Sequence, residues 1–364
     1  MKIAILTFHR ALNYGALLQA YALKTVLTEL GNEVEVMDYR NEVLEKAYYY
    51  PSFFERKGIK NKLKYIIQGR SELKRIAGFD AFRNNELSIS NKIYNQDNVA
   101  ESNQHYDLFI TGSDQVWNYR AHNFDANYFL DFVKDSRKKR SYAASIGLSV
   151  LPEEYKEQYK KLLMNYQIIS VRESQGKEII DSLGIHNIRL DLDPTFLLTA
   201  SDWKKFCSNQ QYENYIFAYY FELTPTLKEF AEKLSMQTGL KIIYVGNAFK
   251  SPFECHSMGL KTASPREFVE AINGATYVVT NSFHGTAFSI NMKKPFFVEL
   301  LQTDAAVNSR LINILENTGL MERQISCFKD IKEACNSKID WRIANEYVNK
   351  QRKDSINYLM EYTK

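Results

Sequence analysis

Residues 276–296 read TYVVTNSFHGTAFSINMKKPF, and this stretch decides the fold. Tyr277–Thr280 is a brief apolar run of the kind that forms a strand covered on both faces. Asn281, Ser282, Phe283, His284 and Gly285 follow as a polar hinge, and a short helix opens at Thr286 and Ala287. At such a strand end the next helix turns its free backbone N–H groups and its positive dipole end into the crevice. Open α/β sheets bind ligands at that place. A histidine and a glycine there point to a site for an anionic ligand beside a titratable group.

The same alternation extends in both directions. A strand at 2–8, a polar loop at 9–15, a helix at 16–30 stopped by Gly31 and Asn32, and a strand at 33–38 make a βαβ unit. Residues 41–100 break the rhythm and read as a helical insertion rich in aromatic and basic residues. Alternation resumes with strands at 106–111, 140–145, 167–171 and 188–192 and helices at 152–165 and 175–183. A second run begins near 215, with strands at 215–220, 241–246, 277–280 and 296–299 and helices at 226–238, 267–273 and 308–318. Ser264, Pro265 and Glu267 mark a helix start, with proline at the first helical position. Residues 193–214 read as a linker and 340–362 as a long terminal helix. The expectation is an α/β protein of two doubly wound Rossmann-like domains facing across a cleft, a GT-B-like architecture. The domains are expected at 1–192 and 193–339, closed by a C-terminal helix at 340–364.

The chain has 364 residues, 45% hydrophobic and 25% charged, which fits an ordinary globular protein of two domains. The first residues read as a strand and not as a signal peptide, and no apolar run approaches the length of a spanning helix. The four cysteines show no CxxC spacing, so neither disulfides nor a metal site is expected, and the reading is cytoplasmic. The net charge is +4, but the stretch from Arg56 to Arg75 holds eight Lys or Arg and a single acid, Glu72. That segment reads either as solvated helix surface or as a contact with an anionic membrane face or lipid-linked substrate. No recognition motif supports nucleic-acid binding.

Several loops resemble one family, the polysaccharide pyruvyl transferases. They are Asn13-Tyr14-Gly15, the run from Gly112 through Ser113, Asp114 and Trp117 to Asn118, the run from Ser141 to Gly147, Ser170-Val171-Arg172-Glu173, Asp193-Pro194-Thr195-Phe196, and Asn281-Ser282-Phe283-His284-Gly285. They occur in the family's order across roughly residues 1–320. The resemblance implies transfer of a pyruvyl group from phosphoenolpyruvate onto a sugar of a surface polysaccharide, such as a capsule or exopolysaccharide. It implies a cyclic ketal as product, phosphate as leaving group and no cofactor. It also implies an acceptor-side N-terminal domain and a donor-side C-terminal domain. The acceptor would be a sugar linked to a lipid or nucleotide carrier. Many members have Arg-Leu-His-Gly where this chain has Ser282-Phe283-His284-Gly285, so another cation is needed here.

Phosphoenolpyruvate carries a carboxylate and a phosphate, and planar guanidinium groups fit both. The chemistry also needs an acid for the methylene carbon and a base for the sugar hydroxyl. His284 is the first candidate, as a cation on the phosphate and as proton donor, against a structural role capping the hinge. Arg172 follows a strand and is read either as the fork on the donor or as a salt-bridge partner of Glu173 or Asp193. Asp114 is the candidate base or acceptor ligand, or else a helix cap. Arg310 is read as the replacement cation or as a surface arginine. Asn13, Gly15, Ser113, Asn281, Ser282 and Gly285 complete the expected binding loops, with Trp117 expected to stack on a sugar ring. Asp193 is read as fixing the loop after its strand. Two other readings stay open: a GT-B glycosyltransferase using a nucleotide sugar, and a non-catalytic glycan-binding protein on the same fold.

Overall fold

The computed structural model describes residues 1–363 apart from 208–211, 247–249 and 302–304. Its first part runs β1 (Lys2–Leu6), α1 (Tyr14–Glu29), β2 (Glu33–Tyr39), α2 (Glu42–Tyr48), α3 (Ile59–Glu86), β3 (Ile89–Tyr94), β4 (Leu108–Thr111), α4 (Tyr119–His122), β5 (Lys139–Ser141), α5 (Glu153–Leu163), β6 (Ile169–Val171), α6 (Ser174–Ser182) and β7 (Ile188–Leu190). The second runs α7 (Ala200–Phe206), β8 (Tyr215–Tyr219), α8 (Pro225–Thr238), β9 (Lys241–Val245), β10 (Ser257–Leu260), α9 (Pro265–Gly274), β11 (Tyr277–Thr280), α10 (Phe283–Asn291), β12 (Phe296–Val298), α11 (Ala305–Thr318), α12 (Ile331–Asn336) and α13 (Trp341–Glu361).

Two five-stranded parallel sheets result, ordered β3-β2-β1-β4-β5 and β10-β9-β8-β11-β12. The pair β6-β7 adjoins the first sheet through a bridge from Ala144 to Val171. In each sheet the chain winds outward one way and then returns to the other side. The reversal falls between β1 and β4 and again between β8 and β11, the places where such folds bind ligands. Helices on both faces bury the central strands: Ile3, Ile5, Leu6, Ile216, Phe217, Val278 and Val279 are fully covered. Each such apolar side chain contributes roughly 1.5–3 kcal/mol by leaving water.

Helix starts follow local chemistry. The Asn13 side chain caps α1 by accepting from the Ala16 N–H, and Ser264 with Glu267 forms a capping box on α9. Helix α13 packs on α11 and then crosses to the first sheet. There Ser355 Oγ donates to Asp191 Oδ1 at 2.7 Å, and the Arg189 guanidinium lies 3.9 Å from the Tyr358 ring centre. The two sheets' layers also meet at α1 and α9, where Tyr14 stacks on Phe268 at 4.7 Å and donates to the Ala263 carbonyl at 3.0 Å.

Three expectations need correction. Residues 41–100 are not a wholly helical insertion: 41–88 form the crossover from β2 to β3, and β3 is the edge strand, pairing with β2. Its Asn91 and Lys92 face water, which dilutes the apolar signal. The expected linker 193–214 holds α7, whose Trp203 is fully buried and donates to the Thr195 carbonyl at 2.9 Å; residues 208–211 of it lie outside the described residues. The strand expected at 140–145 stops at Ser141, and Ala144 turns across to β6.

Candidate active site

A buried amide closes each switch point. In the first, Gln19 Nε2 donates to Thr7 Oγ1 at 2.9 Å, and Gln19 Oε1 accepts from the Ser113 N–H at 3.1 Å. Thr7 Oγ1 donates in turn to the Ser113 carbonyl at 3.0 Å. These bonds fix the loop after β4 against α1. In the second, Asn281 Oδ1 accepts from the Phe221 N–H at 2.8 Å while its Nδ2 donates to the Glu222 carbonyl at 2.7 Å. Fully satisfied buried amides of this kind hold loops in one conformation.

The two switch points meet at Gly15 and His284. Gly15 lies in the first turn of α1, and a Cβ there would sit 2.0 Å from His284 Nδ1. Only a residue with no side chain lets the imidazole lie against that helix. The far nitrogen, Nε2, is 3.6 Å from Asp193 Oδ2, too long for a hydrogen bond. Asp193 is the hub. Its Oδ1 accepts from the Thr195 N–H and hydroxyl at 3.0 and 2.8 Å, and its Oδ2 accepts from Arg172 Nη1 at 2.7 Å. Burial alone would push this carboxyl up; His284 and Arg172 overcome that and hold it well below the usual carboxylate range.

Arg172 extends the cluster. Its Nε is 3.6 Å from Glu173 Oε2, and its guanidinium lies 5.0 Å from the Phe283 ring centre. Burial disfavours its charge, but Asp193 and Glu173 more than compensate and raise its pKa. Glu173 Oε1 accepts from Ser145 Oγ at 2.8 Å and the Ile146 N–H at 3.2 Å, which pins the loop after β5. Arg310, on α11, has its pKa lowered by burial first and then by the like charge of Arg172. The Gln115 amide, turned with its oxygen toward Arg310, accepts from both Nη atoms at 3.0 and 3.2 Å. Arg172 Nε and Nη2, Arg310 Nε and His284 Nε2 are buried and lack a hydrogen-bond partner among the described residues. Unpaired buried donors concentrated in one place call for a ligand or a functional reason.

Two cavities flank this cluster. The larger, about 450 Å³, opens between the sheets; Asn13, Asp114, Asn281, Ser282, His284 and Arg310 line it, with Gln115 and Asn118 beside them. The smaller, about 150 Å³, holds Arg172, Glu173 and Asp193, and shares Phe283 and Arg310 with the larger. So the structure brings Asn13, Asp114, Asn281, Ser282, His284 and Arg310 onto one cavity and places Arg172 next door, linked through Asp193. Asp114 adopts φ 69° and its Oδ1 accepts from the Gln115 N–H at 2.9 Å. Ser282 is the N-cap residue of α10, but its side chain makes no cap bond. Gly285 lies against Thr280 and Tyr219, where a Cβ would clash.

Two expected ligands are in the core instead. Trp117 is fully buried, donates to the Tyr128 carbonyl at 3.2 Å and stacks on Phe129 at 5.6 Å, so it is not available to a sugar ring. Ser113 is fully buried and its Oγ donates to the Ala143 carbonyl at 2.7 Å. Sequence reasoning missed Gln19, which carries no motif, did not single out Gln115 within the run Gly112–Asn118, and gave Asp193 only half its role. Among the described residues no group of three or more His, Cys, Asp or Glu is placed to hold a metal.

His122 braces the cavity wall from behind. Its Nε2 donates to the Val116 carbonyl at 3.0 Å and its Nδ1 accepts from the Asp125 N–H at 2.8 Å, an arrangement for the neutral ring. Burial lowers its pKa from 6.5 to about 4. The unfolded chain therefore binds this proton first, and stability present above pH 6.5 is lost as pH falls toward 4. The expected loss is roughly 3 kcal/mol, from about 1.4 kcal/mol per pKa unit. Denaturant unfolding at pH 7 and pH 5 checks this: His122→Gln should flatten the pH dependence relative to wild type.

Two facing Rossmann-like units closed by a crossing terminal helix define the GT-B class. The UDP-GlcNAc 2-epimerase from Methanocaldococcus jannaschii shares this fold, with a TM-score of 0.51 at 10% identity over 98% of this chain and 100% of that one. Arabidopsis thaliana UGT89C1, solved with UDP-L-rhamnose, aligns with a TM-score of 0.47 at 11% identity over 98% of this chain and 94% of that one. The E. coli heptosyltransferase WaaC aligns with a TM-score of 0.38 at 13% identity over 84% and 90% of the two chains. No curated protein matches by sequence. Residues 13–299 match the family described as polysaccharide pyruvyl transferase, and the chain belongs to that family.

Proposed function

We propose that this protein transfers the pyruvyl group of phosphoenolpyruvate to a sugar of a surface polysaccharide or its carrier-linked precursor. The observation that carries the reading is the set of unpartnered guanidinium nitrogens on Arg172 and Arg310 beside His284 and the start of α10. A small ligand bearing two anionic groups satisfies them. Arg310 supplies the cation that Ser282 does not, and Arg172 forks an oxyanion past Phe283 with the two nitrogens that Asp193 leaves over. The helix start adds N–H groups and dipole to the same place.

The residues then divide the work. His284, charged, gives its proton to the methylene carbon, which becomes a methyl group. A sugar hydroxyl adds to the adjacent carbon and loses its proton to Asp114. A second hydroxyl displaces phosphate from that carbon, closing the ketal. The two hydroxyl protons balance one gained by the methyl carbon and one carried off with phosphate. Asp193 holds His284 in place through the 3.6 Å contact between Oδ2 and Nε2. The reaction needs no cofactor, and the protein works on the cytoplasmic side of the membrane.

Calorimetric titration tests this reading. Wild type should bind phosphoenolpyruvate, and His284→Ala should weaken it by roughly tenfold or more, the loss of one charge-assisted contact. Binding of a nucleotide sugar with no response to phosphoenolpyruvate would move the assignment to glycosyl transfer. Binding of glycan with neither donor would leave a non-catalytic protein.

A further inference from the structure

Helix α3 has 28 residues, a length of about 42 Å, whereas the strand β2 before it spans about 23 Å. A crossover helix runs antiparallel to its strands, so the excess length at its N-terminal end overhangs the strands' carboxyl edge. That is the edge on which Asp114 and His284 open. The C-terminal part of α3 is anchored by buried Phe79, Phe82 and Arg83. The overhang is not anchored in this way. Ile59 is 87% exposed and Ile66 67%, with Leu63, Ile67 and Leu73 also open to solvent.

These positions are not scattered. Ile59, Leu63, Ile66, Ile67, Arg70 and Leu73 fall at helical spacing on one stripe. Lys60, Lys64, Arg70 and Lys74 are exposed within or beside it. Glu72, the only acid from 56 to 75, pairs with Arg75 on the other face. Ahead of the helix, Phe54 is 90% exposed. Arg56 lies 4.5 and 4.9 Å from the ring centres of Tyr50 and Tyr65, which holds this lead-in segment against the overhang. Among the described residues no helix is long and apolar enough to cross a membrane.

An exposed apolar stripe rimmed by cations, with no acid on that face, matches an anionic lipid surface: apolar side chains enter the acyl boundary while Lys and Arg meet the headgroups. An acidic protein partner would satisfy the cations but not the width of the apolar stripe, and a second copy would set like charges against each other. We infer that the N-terminal half of α3 docks this protein on an anionic phospholipid bilayer. Docking there presents the mouth of the cleft to the membrane. That this delivers a lipid-linked sugar acceptor rests on the function proposed above; the docking itself does not.

Vesicle flotation of the full chain, without any donor, tests the docking separately. Vesicles of phosphatidylcholine with roughly 30% phosphatidylglycerol, an anionic surface that attracts basic side chains, should carry the protein, and phosphatidylcholine alone should not. The variant Lys60→Ala/Lys64→Ala/Arg70→Ala should partition roughly a hundredfold more weakly, about fivefold per cation removed. Ile59→Ser/Leu63→Ser/Ile66→Ser should also detach, while unfolding at the wild-type denaturant midpoint because these side chains are exposed. Equal binding to neutral vesicles, no binding to either, or an apolar variant that dissociates a dimer without changing flotation would each overturn the inference.

Discussion

Gly15→Ala should lower donor affinity by roughly tenfold, as far as removing His284 itself would, while leaving each half folded. Alanine is the better helix former by about 1 kcal/mol, so α1 itself gains. The added methyl, however, would lie 2.0 to 2.3 Å from three atoms of the His284 ring. Gly15 belongs to the first half and His284 to the second, so the clash is relieved by turning the imidazole or parting the halves. Either displaces His284 from Asp193 and from the cleft, so the expected cost to donor binding is the loss of one charge-assisted contact. Calorimetry with phosphoenolpyruvate and a denaturant melt on the same sample separate the two effects. Wild-type donor affinity in Gly15→Ala would show that His284 does not need its place against α1.

Arg172→Met should destabilise the protein by about 3–5 kcal/mol, the usual consequence of leaving one member of a buried ion pair without its partner. Asp193 would keep Thr195 and the long contact to His284 but lose its 2.7 Å bond to the guanidinium. Arg172→Lys discriminates structure from function. The ammonium retains the charge opposite Asp193, so much of the stability should survive. It cannot supply the two further nitrogens, Nε and Nη2, that stand unpartnered. Donor affinity should therefore fall by roughly tenfold or more while stability recovers most of the way to wild type. An Arg172→Lys protein with unchanged donor affinity would reduce Arg172 to a structural role beneath Asp193.

Much of this site was legible in the chain because its parts sit at strand ends. The run Tyr277–Thr280 followed by polar residues placed His284 just past a strand's carboxyl edge, although α10 opens at Phe283 and not at Thr286, so His284 sits in the first helical turn and not in a hinge. Arg172 after β6 was legible for the same reason. The doubly wound halves follow from alternation alone. What was not legible depends on residues distant in sequence. Trp117 looked like a sugar platform because nothing local says that Phe129 and Tyr166 enclose it. Asp193 meets His284 across 91 positions (284 − 193), and that pairing leaves no local pattern. Gln19 sits inside a helix where its amide carries no motif, yet it ties β1, β4 and α1 together. The strand β3 was missed because an edge strand with one wet face has too few apolar residues to stand out from its helical neighbours.

The most direct test of the central claim follows phosphorus. Wild-type protein is mixed with phosphoenolpyruvate and a panel of carrier-linked oligosaccharides, and ³¹P NMR records the donor signal. Inorganic phosphate should be released only when an acceptor is present, matched one for one by acid-labile pyruvate on the sugar, and none should appear with His284→Ala. Phosphoenolpyruvate left intact with every acceptor, while a nucleotide sugar in the same tube yields nucleoside diphosphate, would contradict the central claim.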